Sequence, residues 1–115
     1  MAFVSFGEVK PLQGVMLRLA GYGPVEVDAG RDLVLAQDDG DYATNVATGA
    51  AQLRKLTRLD HGVSLADWHA ALLTTPEFAW GYRSRPGWKA VEAAVVAQIE
   101  RADRARLEGL AAAQG

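Results

Sequence analysis

Asp38-Asp39-Gly40-Asp41-Tyr42-Ala43-Thr44-Asn45-Val46 is the stretch on which the reading of this chain turns. Before it, apolar residues come in short runs broken by glycine and proline. After it they recur at helical spacing, with Val46, Ala50, Leu53 and Leu56 on one stripe and Gln52, Arg54, Lys55 and Arg58 facing away. The acidic cluster therefore ends one layer and opens another, with Asp41 or Thr44 as the cap of the helix that follows. The expected fold class is α+β: a small N-terminal antiparallel β-meander over residues 1–40, packed against three to four C-terminal helices over 41–115. A chain of 115 residues supports one core and not two, so 1–115 is read as a single domain.

Upstream, Phe3 to Val9 alternates loosely and stops at Lys10-Pro11. Val15-Met16-Leu17-Arg18-Leu19 reads as a compact apolar strand, closed by a turn at Gly21-Tyr22-Gly23-Pro24. Val25 and Val27 alternate with Glu26 and Asp28, Ala29-Gly30 fits a hairpin loop, and Arg31 to Ala36 is a further strand. Downstream, Ala47, Gly49 and Ala50 give the first helix a small face that another element can approach closely, and Asp60-His61-Gly62 ends it. Ser64 caps a second helix whose buried stripe is Leu65, Trp68, Leu72 and Leu73, with Asp67 at the capping-box position. Thr75-Pro76-Glu77 starts a short helix to about Tyr82, with proline at its first position, and Ser84 to Gly87 is a break. Val91, Val95, Ile99 and Ala102 predict one last helix over about 88–110, roughly 35 Å long. Its charge-rich end, with Glu100 and Arg104 as an i,i+4 pair, is expected to overhang the domain or pack on a second chain.

The net charge is −2 and the isoelectric point about 5.6, so no global field favours nucleic acid or an anionic membrane. The charge is lopsided: residues 1–44 hold three Lys/Arg against seven Asp/Glu, and residues 45–115 hold nine against seven. The absence of cysteine excludes a disulfide framework, a thiolate zinc site and a cysteine nucleophile. Met1 to Phe6 lacks the basic start and sustained apolar run of a signal peptide, and no stretch approaches a membrane span. The expectation is a cytoplasmic chain, or one assembled into a particle made in the cytoplasm, with no membrane partner.

The two histidines, His61 and His69, lie near Asp60 and Asp67. A metal needs three or four converging ligands, whereas Asp67 and His69 are two apart on a helix and point to different faces. No metal, cofactor or catalytic residue is therefore assigned. Gly62-Val63-Ser64-Leu65-Ala66 has the spacing of a nucleophile elbow but follows a helix instead of a strand, which leaves Ser64 as a cap. Gly21-Tyr22-Gly23 lacks the third glycine of a dinucleotide loop, and Asp38 to Asp41 is too short for a calcium loop.

The chemistry concentrates between Pro76 and Lys89, where four of the nine aromatic residues meet three basic side chains. This segment is either a core seam or a recognition surface, and both hold if Phe78 and Trp88 face in while Trp80 and Tyr82 face out. The residues expected to meet a partner are Trp80, Tyr82, Arg83, Arg85, Trp88 and Lys89, with Arg101 and Arg104 on the last helix.

Two resemblances bear on function. Leu53 to Leu72, read as helix, glycine-containing turn and helix, resembles the helix-turn-helix motif of bacterial DNA-binding proteins, which implies a small regulator using residues 43–74. It departs from that pattern in a turn lengthened by Asp60 and His61. Its second helix also carries Asp67 and His69 but no Lys or Arg, so phosphate contacts would rest on Arg54, Lys55 and Arg58. Gly30-Arg31-Asp32-Leu33-Val34-Leu35 followed by Gly40-Asp41-Tyr42-Ala43-Thr44 resembles small phage tail or baseplate components, which implies a structural part of a particle. Three functions stay open. The first is a non-enzymatic interaction or assembly module with a protein partner or with itself, and with no evident small-molecule substrate. The second is the DNA-binding regulator, and the third an enzyme or ligand-binding protein using His61, Asp67 and His69.

Overall fold

Asp38 starts the longest helix of the molecule by accepting the Asp41 amide on its carboxylate, Oδ1 to N 2.7 Å. The cap is thus three residues before Asp41 and six before Thr44, and Asp39 and Asp41 fall in the first turn, where the helix dipole favours them. The computed structural model describes residues 3–5, 9–24 and 32–114. Along the chain these form β1 (Phe3–Ser5), α1 (Pro11–Leu19), β2 (Tyr22–Pro24), β3 (Asp32–Leu35), α2 (Asp39–Thr57), α3 (Leu65–Thr74), α4 (Pro76–Tyr82), α5 (Trp88–Ile99) and α6 (Arg104–Gln114). The α+β class holds in outline, with six helices among the described residues and a small antiparallel sheet.

The sheet is not a meander. Its order is β1-β3-β2, with Phe3 opposite Val34 on one edge and Tyr22 opposite Leu35 on the other. The run Val15–Leu19, expected as a strand, is the second half of α1. Pro11 occupies the first helical turn, where a missing N–H costs nothing, and Gln13 Oε1 accepts the Lys10 amide at 2.9 Å. Met16, Leu17 and Leu19 are then buried. Tyr22–Pro24, expected as a turn, is strand β2. Val25 to Arg31, including the expected hairpin loop at Ala29-Gly30, lies outside the described residues.

α1 crosses α2 at Gly49, where a Cβ would lie 2.4 Å from the Leu19 nitrogen, so the small face expected on α2 is the site of a close helix approach. Val46, Ala50 and Leu53 are buried as the stripe predicts, but Leu56 is 53% exposed. α2 ends at Thr57, with Arg58 in the left-handed region at φ 64°. Ser64 caps α3 through the Asp67 amide at 3.2 Å, and Leu65, Trp68 and Leu72 are buried.

The single helix expected over 88–110 is two helices, and its end does not overhang. Between α5 and α6 the backbone turns at residues 100–103, where the Asp103 carboxylate binds the Arg101 and Arg106 guanidiniums. The Asp103 carbonyl accepts the Leu107 amide at 3.1 Å and so opens α6, which packs back on α2 with Leu107 and Ala111 buried. Arg104 pairs with Glu108 at 2.7 Å in place of Glu100. No helix among the described residues is long and apolar enough to cross a membrane.

Candidate partner-binding face

α4 is seven residues long and is held from beneath. Tyr82, at its end, is fully buried, and its hydroxyl lies 2.7 Å from His69 Nδ1. The Trp88 ring meets the Tyr82 ring edge-on at 4.9 Å and stacks on His69 at 6.4 Å. Gln13 is likewise fully buried, and its Nε2 donates to the carbonyls of Tyr82 (2.9 Å) and Ser84 (2.7 Å). A buried amide that binds two carbonyls on a distant segment fixes that segment, because leaving those groups unpaired in the interior costs about 1–3 kcal/mol each. The end of α4 and the loop after it are therefore fastened to α1.

With Tyr82 turned inward, the opposite stripe of α4 faces solvent. Pro76, Ala79, Trp80 and Arg83, at i, i+3, i+4 and i+7, lie on one side, and Trp80 is 84% exposed. Together with Lys10, Ser84 and Arg85 they line an open depression of about 700 Å³. Arg83 and Arg85 make no ion pair among the described residues, and no described carboxylate lines the depression.

Burial raises the Tyr82 phenol above its ordinary range, with the nearby Glu92 acting in the same direction. Burial also lowers the His69 imidazole below its usual value, partly opposed by Glu92. A folded state that holds His69 neutral is fully stabilised by it above the unfolded value near 6.5. That stability is lost as pH falls through 6.5, because the unfolded chain takes up the proton first. His69→Phe, which keeps a ring against Tyr82 and Trp88, is expected to flatten this part of the profile. Urea midpoints at pH 7.5 and 5.5 check it, and an unchanged slope in the variant would remove His69 as the source.

The structure gathers only part of the expected partner set. Trp80, Arg83 and Arg85 share the depression, while Lys89 is exposed on the first turn of α5 and does not line it. Trp88 is partly buried, and Tyr82 faces in, not out. Arg101 lies over the Tyr42 ring at 4.8 Å, and Arg104 is only 4% exposed. Arg104 bonds Glu108 Oε2 (2.7 Å), the Tyr42 hydroxyl (2.9 Å) and the Leu19 carbonyl (2.9 Å). Tyr42 donates onward to Gln98 Oε1 at 2.8 Å, and Glu108 accepts the Leu65 amide at 3.0 Å. This network joins α1, α2, α3, α5 and α6, so Arg104 serves the interior. The residues that sequence reasoning missed are Lys10, Pro76, Ala79 and Ser84. The spacing Pro76, Ala79, Trp80, Arg83 could have found two of them, but nothing local places Lys10 there.

His61 and His69 engage different aromatic partners. His61 packs edge-on against Trp68 at 5.0 Å, where Trp68 Nε1 donates to the Gly62 carbonyl, and His69 belongs to the Tyr82–Trp88 cluster. Asp67 is exposed. Among the described residues no group of three or more His, Cys, Asp or Glu could hold a metal ion. In the segment resembling a helix-turn-helix, residues 58–64 separate α2 from α3, and α3 packs chiefly on α4, α5 and α1. No protein-family model matches the chain, and neither a curated protein nor a solved structure shows significant similarity to it.

Proposed function

We propose that the chain is a non-enzymatic protein–protein interaction module that joins a larger assembly through the face built on Trp80, Arg83 and Arg85. The observation that carries this reading is the exposure of Trp80, 84%, on a helix whose other side is fastened to the core. Burying a large aromatic side chain is worth about 1.5–3 kcal/mol, which Trp80 forgoes in the isolated chain and a partner would recover. Trp and Arg are the residues most enriched at interface hot spots, and a central aromatic with cations around it has the layout of one. The resemblance of Gly30–Leu35 followed by Gly40–Thr44 to tail or baseplate components makes a phage-like particle the setting in which such a module would serve. Tyr42 and Ala43 of that stretch are buried, so its helical part serves the core of this chain as well.

The test is a photo-crosslinking residue at position 80, irradiated in the native source, with the same residue at exposed Ala93 as control. Adducts to one discrete polypeptide at 80 and none at 93 are expected; no adduct at 80 would overturn the proposal. Trp80→Ser is expected to leave unfolding free energy within about 0.5 kcal/mol of wild type, as for a surface position outside the core. A loss of several kcal/mol on urea denaturation would show that the indole belongs to the fold.

A further inference from the structure

We infer that the occupant of the Trp80 face is an acidic segment of a different protein, bringing an apolar side chain to the indole and carboxylates to Arg83 and Arg85. This rests on the protein-binding reading above and deepens it. Arg83 and Arg85, which make no ion pair among the described residues, line the depression with no described anion, on a molecule whose net charge is −2. The positive sign is thus local, and a local field selects a short stretch of opposite charge. Arg is suited to such a stretch because its guanidinium grips a carboxylate through two parallel N–H donors.

A nucleic-acid strand fits less well. Strand binding uses successive aromatic platforms along a cationic track, and Trp80 is the one large exposed aromatic among the described residues. The cations Arg54, Lys55 and Arg58 sit at the far end of α2 or just after it and do not line the depression. A negative molecule also repels a long polyanion, whereas a peptide carries its charge only where it docks.

A second copy fits less well for a different reason. To fill the depression it would have to offer an exposed apolar side chain flanked by acids. Besides Trp80, the large exposed apolar residues described are Leu56 and Leu110. Leu56 stands among Arg54, Lys55 and Arg58, which has the wrong sign. Leu110 stands among Gly109 and Ala111 to Ala113, and the nearby Glu108 is already bound to Arg104 and the Leu65 amide. The described surface of this chain is therefore not complementary to its own depression.

The experiment titrates the full chain with three probes: a short peptide of glutamates around a central leucine, the matching lysine–leucine peptide, and oligothymidylate. Acrylamide quenching of tryptophan fluorescence reports Trp80, and anisotropy of labelled probes reports affinity in the variants. The glutamate peptide is expected to protect Trp80 and to bind less tightly as salt rises. Trp80→Ser, and separately Arg83→Glu with Arg85→Glu, should each weaken it about tenfold or more with the urea midpoint unchanged. Equal binding of both peptides, or protection by neither, overturns the inference and leaves the crosslink at position 80 to decide the broader reading. Concentration-dependent protection of Trp80 with no probe present assigns the face to a second copy, which overturns the inference while sparing the protein-binding reading. Tighter binding of oligothymidylate than of the glutamate peptide overturns both.

Discussion

Replacing Arg104 with alanine is expected to lower the unfolding free energy by about 3–5 kcal/mol, since it breaks a part-buried ion pair and leaves two buried acceptors without their donor at about 1–3 kcal/mol each. The size follows from what the guanidinium leaves behind. Glu108 loses its 2.7 Å ion pair, and the Tyr42 hydroxyl and the Leu19 carbonyl lose 2.9 Å donors in a region without ready access to water. Small domains are stable by only about 5–15 kcal/mol, so this one substitution should leave the chain marginal. Arg104→Lys keeps the charge but offers a point ammonium in place of a planar fork, and should fall between wild type and alanine. In a double-mutant cycle, Arg104→Ala and Glu108→Ala should be strongly non-additive, because removing both partners leaves no orphaned carboxylate. Urea denaturation of the four proteins measures it. Additive losses would mean that the pair is not coupled and that α6 is held by apolar packing alone.

The second large effect concerns a methyl group. Gly49→Ala should destabilise by about 3 kcal/mol, the upper part of the range for overpacking, because its Cβ would meet the Leu19 nitrogen at 2.4 Å and the Leu19 Cα at 2.7 Å. Both atoms are backbone, so no rotamer change relieves the contact, and α1 must move away from α2. The sign is informative, since glycine to alanine inside a helix ordinarily stabilises by about 0.8–1 kcal/mol. Gly109 on α6, with nothing within 4 Å of the same position, supplies the contrast: Gly109→Ala should stabilise. Opposite signs for the two variants in thermal or urea unfolding locate the close helix crossing; a neutral or stabilising Gly49→Ala would mean that α1 does not lie there.

Much of the helical half was legible because its signals are local. Ser64 before Leu65, Pro76 after Thr75, and the Val46–Ala50–Leu53 stripe each act within one or two turns, and each appears where the residues predict. What failed depends on distant partners. Val15–Leu19 is apolar at every position but Arg18, which suits a buried strand or a buried helix equally. Only the proline at 11 and the Gln13 side chain returning to the Lys10 amide decide for the helix. The break between α5 and α6 contains neither glycine nor proline, and Asp103 was its one readable signal.

The candidate face divides the same way. The sequence left open whether Trp80 faces the core or solvent, and it lies outside, while the helical stripe that carries Arg83 beside it follows from spacing alone. Tyr82 was misplaced because its burial depends on His69, Trp88 and Gln13, which arrive from three other helices. Arg104 was expected at a partner surface because the charge-rich end of one helix over about 88–110 was read as overhanging the domain. Its partners Tyr42 and Leu19 lie 62 and 85 positions away, which no local pattern encodes.

Acrylamide quenching of the dilute chain, compared with Trp80→Phe, tests most directly whether α4 presents its indole to solvent on a fixed frame. Trp68 is fully buried and Trp88 partly so, and Trp80 should therefore carry most of the quenchable emission, with a much shallower quenching slope in the Phe variant. Identical slopes for the two proteins would contradict the outward-facing tryptophan and the docking face built on it.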